Sequence, residues 1–327
     1  MEPRLAAVAA ARGGAFSAAD AARCGVGPTA LARLRRSGEV VQVRRGAYVL
    51  GERWVDARPQ ERFRLRTRAL LRTRPERDAA SHHASVLLQG VDTWGVDLAV
   101  VDLVSSVSSA RRRGSVRIHP RPTRTTDLVD GARAVPLPVA LLQTAAWSGT
   151  AAALCSIDDA LHDARCTVDA LASAVGVLPE HERNAAARIV ALADPACESA
   201  GETRTRLLLH DLGLRWRSQV TLRLPSGAWA RTDFVVEDVV ILEFDGLVKY
   251  AGAQGREALV AEKLRERGLW DLGYEIERVI WPDLDDPAGL HRRIRAARAR
   301  AIARGILRPH ESSHVSRQLP GDVGASA

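Results

Sequence analysis

The segment RTDFVVEDVVILEFDGLVKY, residues 231–250, constrains the fold more than any other part of the chain. Val239–Leu242 is an unbroken aliphatic run of the length that reads as a buried strand. It ends on Glu243 and Asp245, and Asp233 lies ten residues before Glu243 on the preceding strand. A two-residue turn at Glu237-Asp238 would pair residue 233 with 242 and send Asp233 and Glu243 to opposite faces. A three-residue connection or a bulge pairs 233 with 243, so that Asp233, Glu243 and Asp245 project from one face. The second register is expected.

Three carboxylates that close raise one another's pKa and repel. A hard cation relieves the repulsion, and Mg²⁺ takes oxygen ligands while keeping several waters. The competing account is three strand-end acids, each solvated separately. The upstream helix adds Glu198 and Glu202, one turn apart on one face. Either can reach a cation as a further ligand or base, or pair with nearby arginines. Only Lys249 and Lys263 are lysine among 47 basic residues, and both follow the acids closely. Lysine's pKa responds to its surroundings and arginine's does not, so these two are candidates for chemistry.

Around this strand pair the pattern reads αβββαβα. A helix lies in "ACESAGETRTRLLLHDLGL", followed by strands in "SQVTLRL", "AWARTDFVV" and "VVILEFD". Then come the helix "GREALVAEKLRERGLWDLG", the strand "YEIERVIW" and the basic helix "LHRRIRAARARAIARG". Residues 1–50 read as three short helices and a hairpin. Ser17 caps with Asp20 three residues on, Gly25 stops that helix, Pro28 opens the next, and "EVVQVRRGAYVL" folds around Arg44-Arg45-Gly46. That order is a winged helix-turn-helix, in which Thr29, Arg33, Arg35 and Arg36 would face the major groove of double-stranded DNA and Arg44 and Arg45 its phosphates. A small helical module for protein contacts is the alternative.

The expected class is therefore multi-domain α/β. It comprises a winged helix over 1–52, an α-rich connecting region with short strands over 60–194, an αβββαβα domain over 195–307, and a disordered tail over 308–327. Within the connecting region, His82 and His83 follow a capping Ser81 with no acid spaced to orient them, and a packing role is expected. The formal charge of +8 and pI near 10.1 favour a polyanion partner. Aromatic content of 4% argues against an RNA-stacking surface. No stretch approaches 18 uncharged apolar residues, so no membrane span is expected. The start "MEPRLAAVAAARGG" reads as a helix, not a targeting segment. Four scattered cysteines without a C-x-x-C pair read as free thiols and fit a cytoplasmic location.

The pieces Glu202, Gln219, Asp233-Phe234, Glu243-Phe244-Asp245-Gly246, Lys263-Leu264-Arg265 and "ERVIWPDL" together resemble the PD-(D/E)xK nuclease superfamily, over roughly residues 196–305. More narrowly they look like the restriction-endonuclease-like domains related to very-short-patch-repair endonucleases. The first 50 residues, with "RRGAYV" at the wing, resemble the winged helix of AbiEi-like antitoxins. The nuclease resemblance implies Mg²⁺ or another divalent cation on Asp233 and Glu243, with Asp245 an added ligand and Glu202 a helix-borne acid. The chain departs where E-x-K requires lysine, because that position is Asp245. Lys263 is the first substitute and Lys249 the second. Arg256, Arg265, Arg267 and the Arg292–Arg300 helix would then hold phosphates. The implied activity is metal-assisted hydrolysis of DNA. The alternative is an antitoxin-like regulator on a catalytically silent nuclease fold, with a cognate toxin or other protein as a further partner.

Overall fold

The computed structural model describes residues 1–123, 125–246, 253–305 and 312–313, without the side chains of 253–258 and 312–313. The chain divides into two compact units, Met1–Ala193 and Asp194–Ala327. Among the described residues there are twelve α-helices and three sheets.

The first unit opens with α1 (Pro3–Ala10), β1 (Ala15–Ser17), α2 (Ala18–Arg23), α3 (Pro28–Arg36), β2 (Val40–Arg44) and β3 (Ala47–Leu50). This is a winged helix. Its start signals act as the sequence requires: Ser17 and Asp20 form a reciprocal capping box, and Pro28 supplies the pre-set first turn of α3. Leu5, Ala9, Phe16, Leu31, Leu34 and Val40 pack into one small core. The sequence pattern had not shown β1, which pairs with β3 and makes the wing a three-stranded sheet. Asp20 ties the module together. It is buried and pairs with Arg12 (2.6 Å), Arg23 and Arg72 (3.5 Å). Burial works to raise its pKa, but the Ser17 N–H and Arg12 outweigh that and hold it well below the usual carboxylate range.

The short α4 (Gly51–Trp54) leads to α5 (Pro59–Leu71), whose Leu65 and Ala69 pack on Ala15, Ala47 and Val49 of the wing sheet. The winged helix and the following region therefore share one unit. There, β4 (Ala79–Ala80), α6 (His82–Leu88), β5 (Val101–Ser105), β6 (Arg111–Arg113), β7 (Val116–Pro120), β8 (Asp127–Val129) and β9 (Ala132–Ala134) form a six-stranded sheet with its helix, in the order β6-β7-β5-β4-β9-β8. The short strands expected in an α-rich connecting region thus build a sheet with its own core around Phe63, Leu87, Leu103 and Ile118.

The unit closes with α7 (Leu137–His162), α8 (Val168–Val175) and α9 (Glu180–Ala191). Residues 137–157 carry no charge, so the expectation that no such run exists is corrected: α7 is long and apolar enough to cross a membrane. Over half of its most apolar window is buried inside the unit, and Gly149 breaks it with φ 84°, as suits a core helix.

The second unit contains α10 (Ala200–Asp211), β10 (Trp216–Arg223), β11 (Trp229–Val236), β12 (Val240–Phe244), α11 (Ala253–Asp271), β13 (Glu275–Val279), a 3₁₀ turn at Trp281–Asp285 and α12 (Pro287–Arg304). The element order is the αβββαβα read from the sequence. A two-residue strand, β14 (Ser312–Ser313), pairs with Thr221 and Leu222. The rest of the 308–327 tail lies outside the described residues. The sheet order is β13-β12-β11-β10-β14, with β13 parallel to β12 and the other pairs antiparallel. Val236 pairs with Val240, leaving a three-residue connection in which Glu237 and Asp238 take φ of 48° and 66°. That is the register expected from the position of the acids.

Candidate functional site

On the winged helix, α3 turns Leu31 and Leu34 inward and leaves Thr29, Arg33 and Arg36 exposed. Their i, i+4, i+7 spacing makes one stripe. Arg35 is also exposed but flanks the stripe, donating to Gln42 of β2 at 2.5 Å. Arg44 and Arg45 stand exposed at the tip of the β2–β3 hairpin. No hydrogen bond or ion pair joins the side chains of Thr29, Arg36, Arg44 or Arg45 to other described residues, so these groups are available to a partner.

In the second unit the register places Asp233 across from Glu243, because Phe234 pairs with Leu242 and every pair is offset alike. On the other side of β11, Ser218–Phe234 and Val220–Thr232 bracket Gln219, which therefore lies opposite Asp233. Gln219 has φ 52° in mid-strand, a conformation that costs a residue with a side chain about 1–3 kcal/mol. Its amide donates to Glu202 Oε2 at 2.8 Å, and Ser199 Oγ donates to Glu202 Oε1 at 2.8 Å. Gly201 lets α10 approach this closely, since a Cβ there would stand 2.1 Å from the Phe244 ring. Glu202, Gln219, Asp233 and Glu243 thus form a row across α10, β10, β11 and β12. Of the two helix acids, Glu202 joins the row, while Glu198 pairs with Arg231.

The electrostatics are those of acids drawn out of water. Burial, then the Asp233 charge, pushes Glu202 up. Burial also raises Asp233, against the Phe244 N–H that donates to its Oδ2 at 2.8 Å. Glu243 is pushed up to about 7, burial outweighing the lowering effect of Arg265.

Arginines, and not lysine, answer these charges. Arg265 of α11 grips Glu243 and also donates to the Arg231 carbonyl at 3.2 Å. Arg278 of β13 lies 3.7 Å from Asp245 and bonds Glu262 and Glu266 at 2.7 Å each. Lys263, expected to point at the strand ends, is instead exposed: two residues from Arg265 is about 200° around a helix. Lys249 and the Arg256 side chain lie outside the described residues. Arg265 is committed to Glu243 and is not free for phosphate, while Arg267 is exposed and paired with Asp271 at 3.1 Å. On α12, Arg293 and Arg300 are paired with acids of β13. Much of that basic helix is therefore neutralised within its own unit. Asp233, Glu243 and Asp245 do not form a group of three donor atoms close enough to share one ion.

Sequence reasoning missed one cluster. His82 and His83 do have an acid: Asp102 of β5 lies 3.4 Å from His83 Nδ1, and His119 of β7 lies 2.6 Å from the same carboxylate. The available signal was Asp102 inside the apolar strand "VDLVS" and Arg117 and His119 inside "VRIHP".

The three-helix module with an exposed basic third helix and a basic wing tip defines the first 50 residues as a winged helix-turn-helix, the architecture of DNA-binding transcriptional regulators. Residues 3–51 match the family described as "Transcriptional regulator, AbiEi antitoxin". No curated protein matches the chain.

Proposed function

We propose that this protein is a DNA-binding regulator of the antitoxin type. The observation that carries the reading is the exposed basic surface of α3 and the wing, where Arg36, Arg44 and Arg45 have no hydrogen bond or ion pair among the described residues, within the segment that matches the antitoxin family. Arg33 and Arg36 would read base edges in the major groove, and Arg44 and Arg45 would hold the backbone. A cognate toxin or other protein partner belongs to the same reading, with the second unit as a catalytically silent scaffold. Selection of bound sequences from a random duplex pool tests it. An enriched motif is expected that is lost on Arg33→Ala or Arg36→Ala and is indifferent to chelator and to Asp233→Asn. Absence of any enriched motif would reject it.

The row Glu202, Gln219, Asp233 and Glu243 supports a second reading, metal-dependent hydrolysis of DNA phosphodiesters. Asp233 and Glu243, with Asp245, would hold Mg²⁺ or another divalent cation, which when bound supplies a Lewis acid and an acidified water. The arrangement as it stands does not fit that ion, because Arg265 already occupies Glu243 and Arg278 leans on Asp245. Plasmid incubated with Mg²⁺ or Mn²⁺ decides the matter. Cleavage abolished by Asp233→Ala, in a protein of unchanged fold, would establish the hydrolase; inactivity across metals would exclude it.

A further inference from the structure

Three buried side chains that DNA binding leaves unused converge in the first unit. Asp102 comes from β5, His119 from its parallel neighbour β7, and His82 from the start of α6. One donor atom from each lies within 4.8 Å of the other two. Among the described residues no other trio of His, Cys, Asp or Glu is so arranged. The pleat explains the convergence: Asp102 pairs with Arg117 and Val104 with His119, so residues 102, 117 and 119 share one face while Leu103 and Ile118 enter the core.

The hydrogen bonding leaves a place for a cation. Asp102 Oδ1 lies 2.6 Å from His119 Nε2, but its Oδ2 is buried without a hydrogen-bond partner. His83 Nδ1 stands 3.4 Å from that oxygen. His83 Nε2 donates to the Val100 carbonyl at 3.1 Å, which orients that ring. His82 Nδ1 meets the Ser81 hydroxyl at 3.0 Å, leaving Nε2 as its ligand nitrogen. His82 also holds φ 50°, a strained backbone of the kind retained at binding sites.

We propose that His82, Asp102 and His119 bind a divalent transition-metal ion of the Zn²⁺ class. Two imidazoles and a carboxylate are a donor set for such ions and a poor one for Mg²⁺. Bonds of about 2.0–2.2 Å place tetrahedral donors about 3.3 Å apart, so Asp102 Oδ1 and His119 Nε2, now 2.6 Å apart, would separate slightly around the ion, and the remaining donor spacings are 4.8 Å or less. Three protein ligands leave a fourth position for water. The cluster lies one side chain beneath the surface, because exposed Trp147 meets the His119 ring edge-on at 5.3 Å, two residues before the break at Gly149. Arg117 is the rival countercharge, its Nη1 3.6 Å from Asp102 Oδ1 and its guanidinium stacked 4.2 Å from the Trp147 ring.

The test uses untagged full-length protein stripped with chelator, desalted and titrated with Zn²⁺ and Co²⁺. Expected are about one bound equivalent by elemental analysis, ligand-field bands of a nitrogen–oxygen Co²⁺ site, and a raised Tm with Zn²⁺. Asp102→Asn and His119→Gln should lose the ion, and Asp233→Asn with Glu243→Gln should keep it, which assigns it to this unit. Circular dichroism checks the fold of each variant, and the wild-type Co²⁺ spectrum stands whether or not they fold. Wild-type metal content far below one equivalent, absence of Co²⁺ bands, or unchanged uptake in the folded 102 and 119 variants would overturn the proposal and leave Arg117 as the sole counterion of Asp102.

Discussion

Removing the wing-tip arginines should weaken DNA binding through phosphate contacts alone. Arg44 and Arg45 are exposed and make no hydrogen bond or ion pair with other described residues, so Arg44→Ala/Arg45→Ala sacrifices nothing inside the fold. With Arg33 and Arg36 they give four exposed guanidiniums on the face of a bound duplex. On a duplex without the recognised sequence, where Arg33 and Arg36 have no cognate base edges and rest on the backbone, one phosphate contact each sets a log K against log salt slope of about −3.6, a loss of about two orders of magnitude in affinity between 50 and 200 mM salt. The double variant should halve that slope to about −1.8, so that the same salt step lowers affinity only about tenfold. Fluorescence anisotropy of a labelled mixed-sequence duplex over a salt series measures it. An unchanged slope would refute the wing contact. So would the same reduction produced by substituting Arg292 and Arg295 on α12, which are exposed in the other unit.

Gly201→Ala drives a methyl into the Phe244 ring and should lower stability by about 1–3 kcal/mol in urea unfolding, with Phe244→Leu restoring part of it. Asp20→Asn leaves Arg12, Arg23 and Arg72 without their shared anion and should cost toward 3 kcal/mol at pH 7. Because the folded-state pKa of Asp20 lies below the ordinary aspartate value of 3.8, that stability is present above this value and is lost as pH falls beneath it. Urea midpoints of wild type and variant should therefore converge in acid. A thiol reagent under native conditions should label Cys24 and spare Cys155, Cys166 and Cys197, which are buried, until the chain unfolds.

The elements legible in the sequence were those with local punctuation. Ser17, Gly25 and Pro28 announced the winged helix because caps and turn residues act over three or four positions. The 233–243 register was legible because burial of Val239–Leu242 fixes which side chains share a face. What stayed hidden depends on contacts distant in sequence. β1 is three residues long, and only its pairing with β3 defines it as a strand. Asp102 and His119 are 17 residues apart and meet because β5 and β7 run parallel. Lys263 is the substitute ammonium expected from a helix packed on the sheet, yet helical phase puts Arg265 at the acids instead, a matter of two residues.

That exchange bears on what the second unit can do. A lysine near desolvated carboxylates can shift its pKa and carry a proton, whereas a guanidinium stays charged and offers only fixed donors. Arg265 therefore neutralises Glu243 without gaining a proton-transfer role, and its bond to the Arg231 carbonyl anchors it to β11. Any divalent ion entering at Glu243 must displace that anchored cation or accept a like charge within a few ångströms. Even with Arg265 in place, burial pushes Glu243 up to about 7, so desolvation works against the charged carboxylate that a cation requires. Gln219 holds Glu202 and Arg265 holds Glu243, and these contacts fasten α10 and α11 to the sheet. The unpaired arginines available to a polyanion among the residues considered for DNA contact lie chiefly on α3 and the wing.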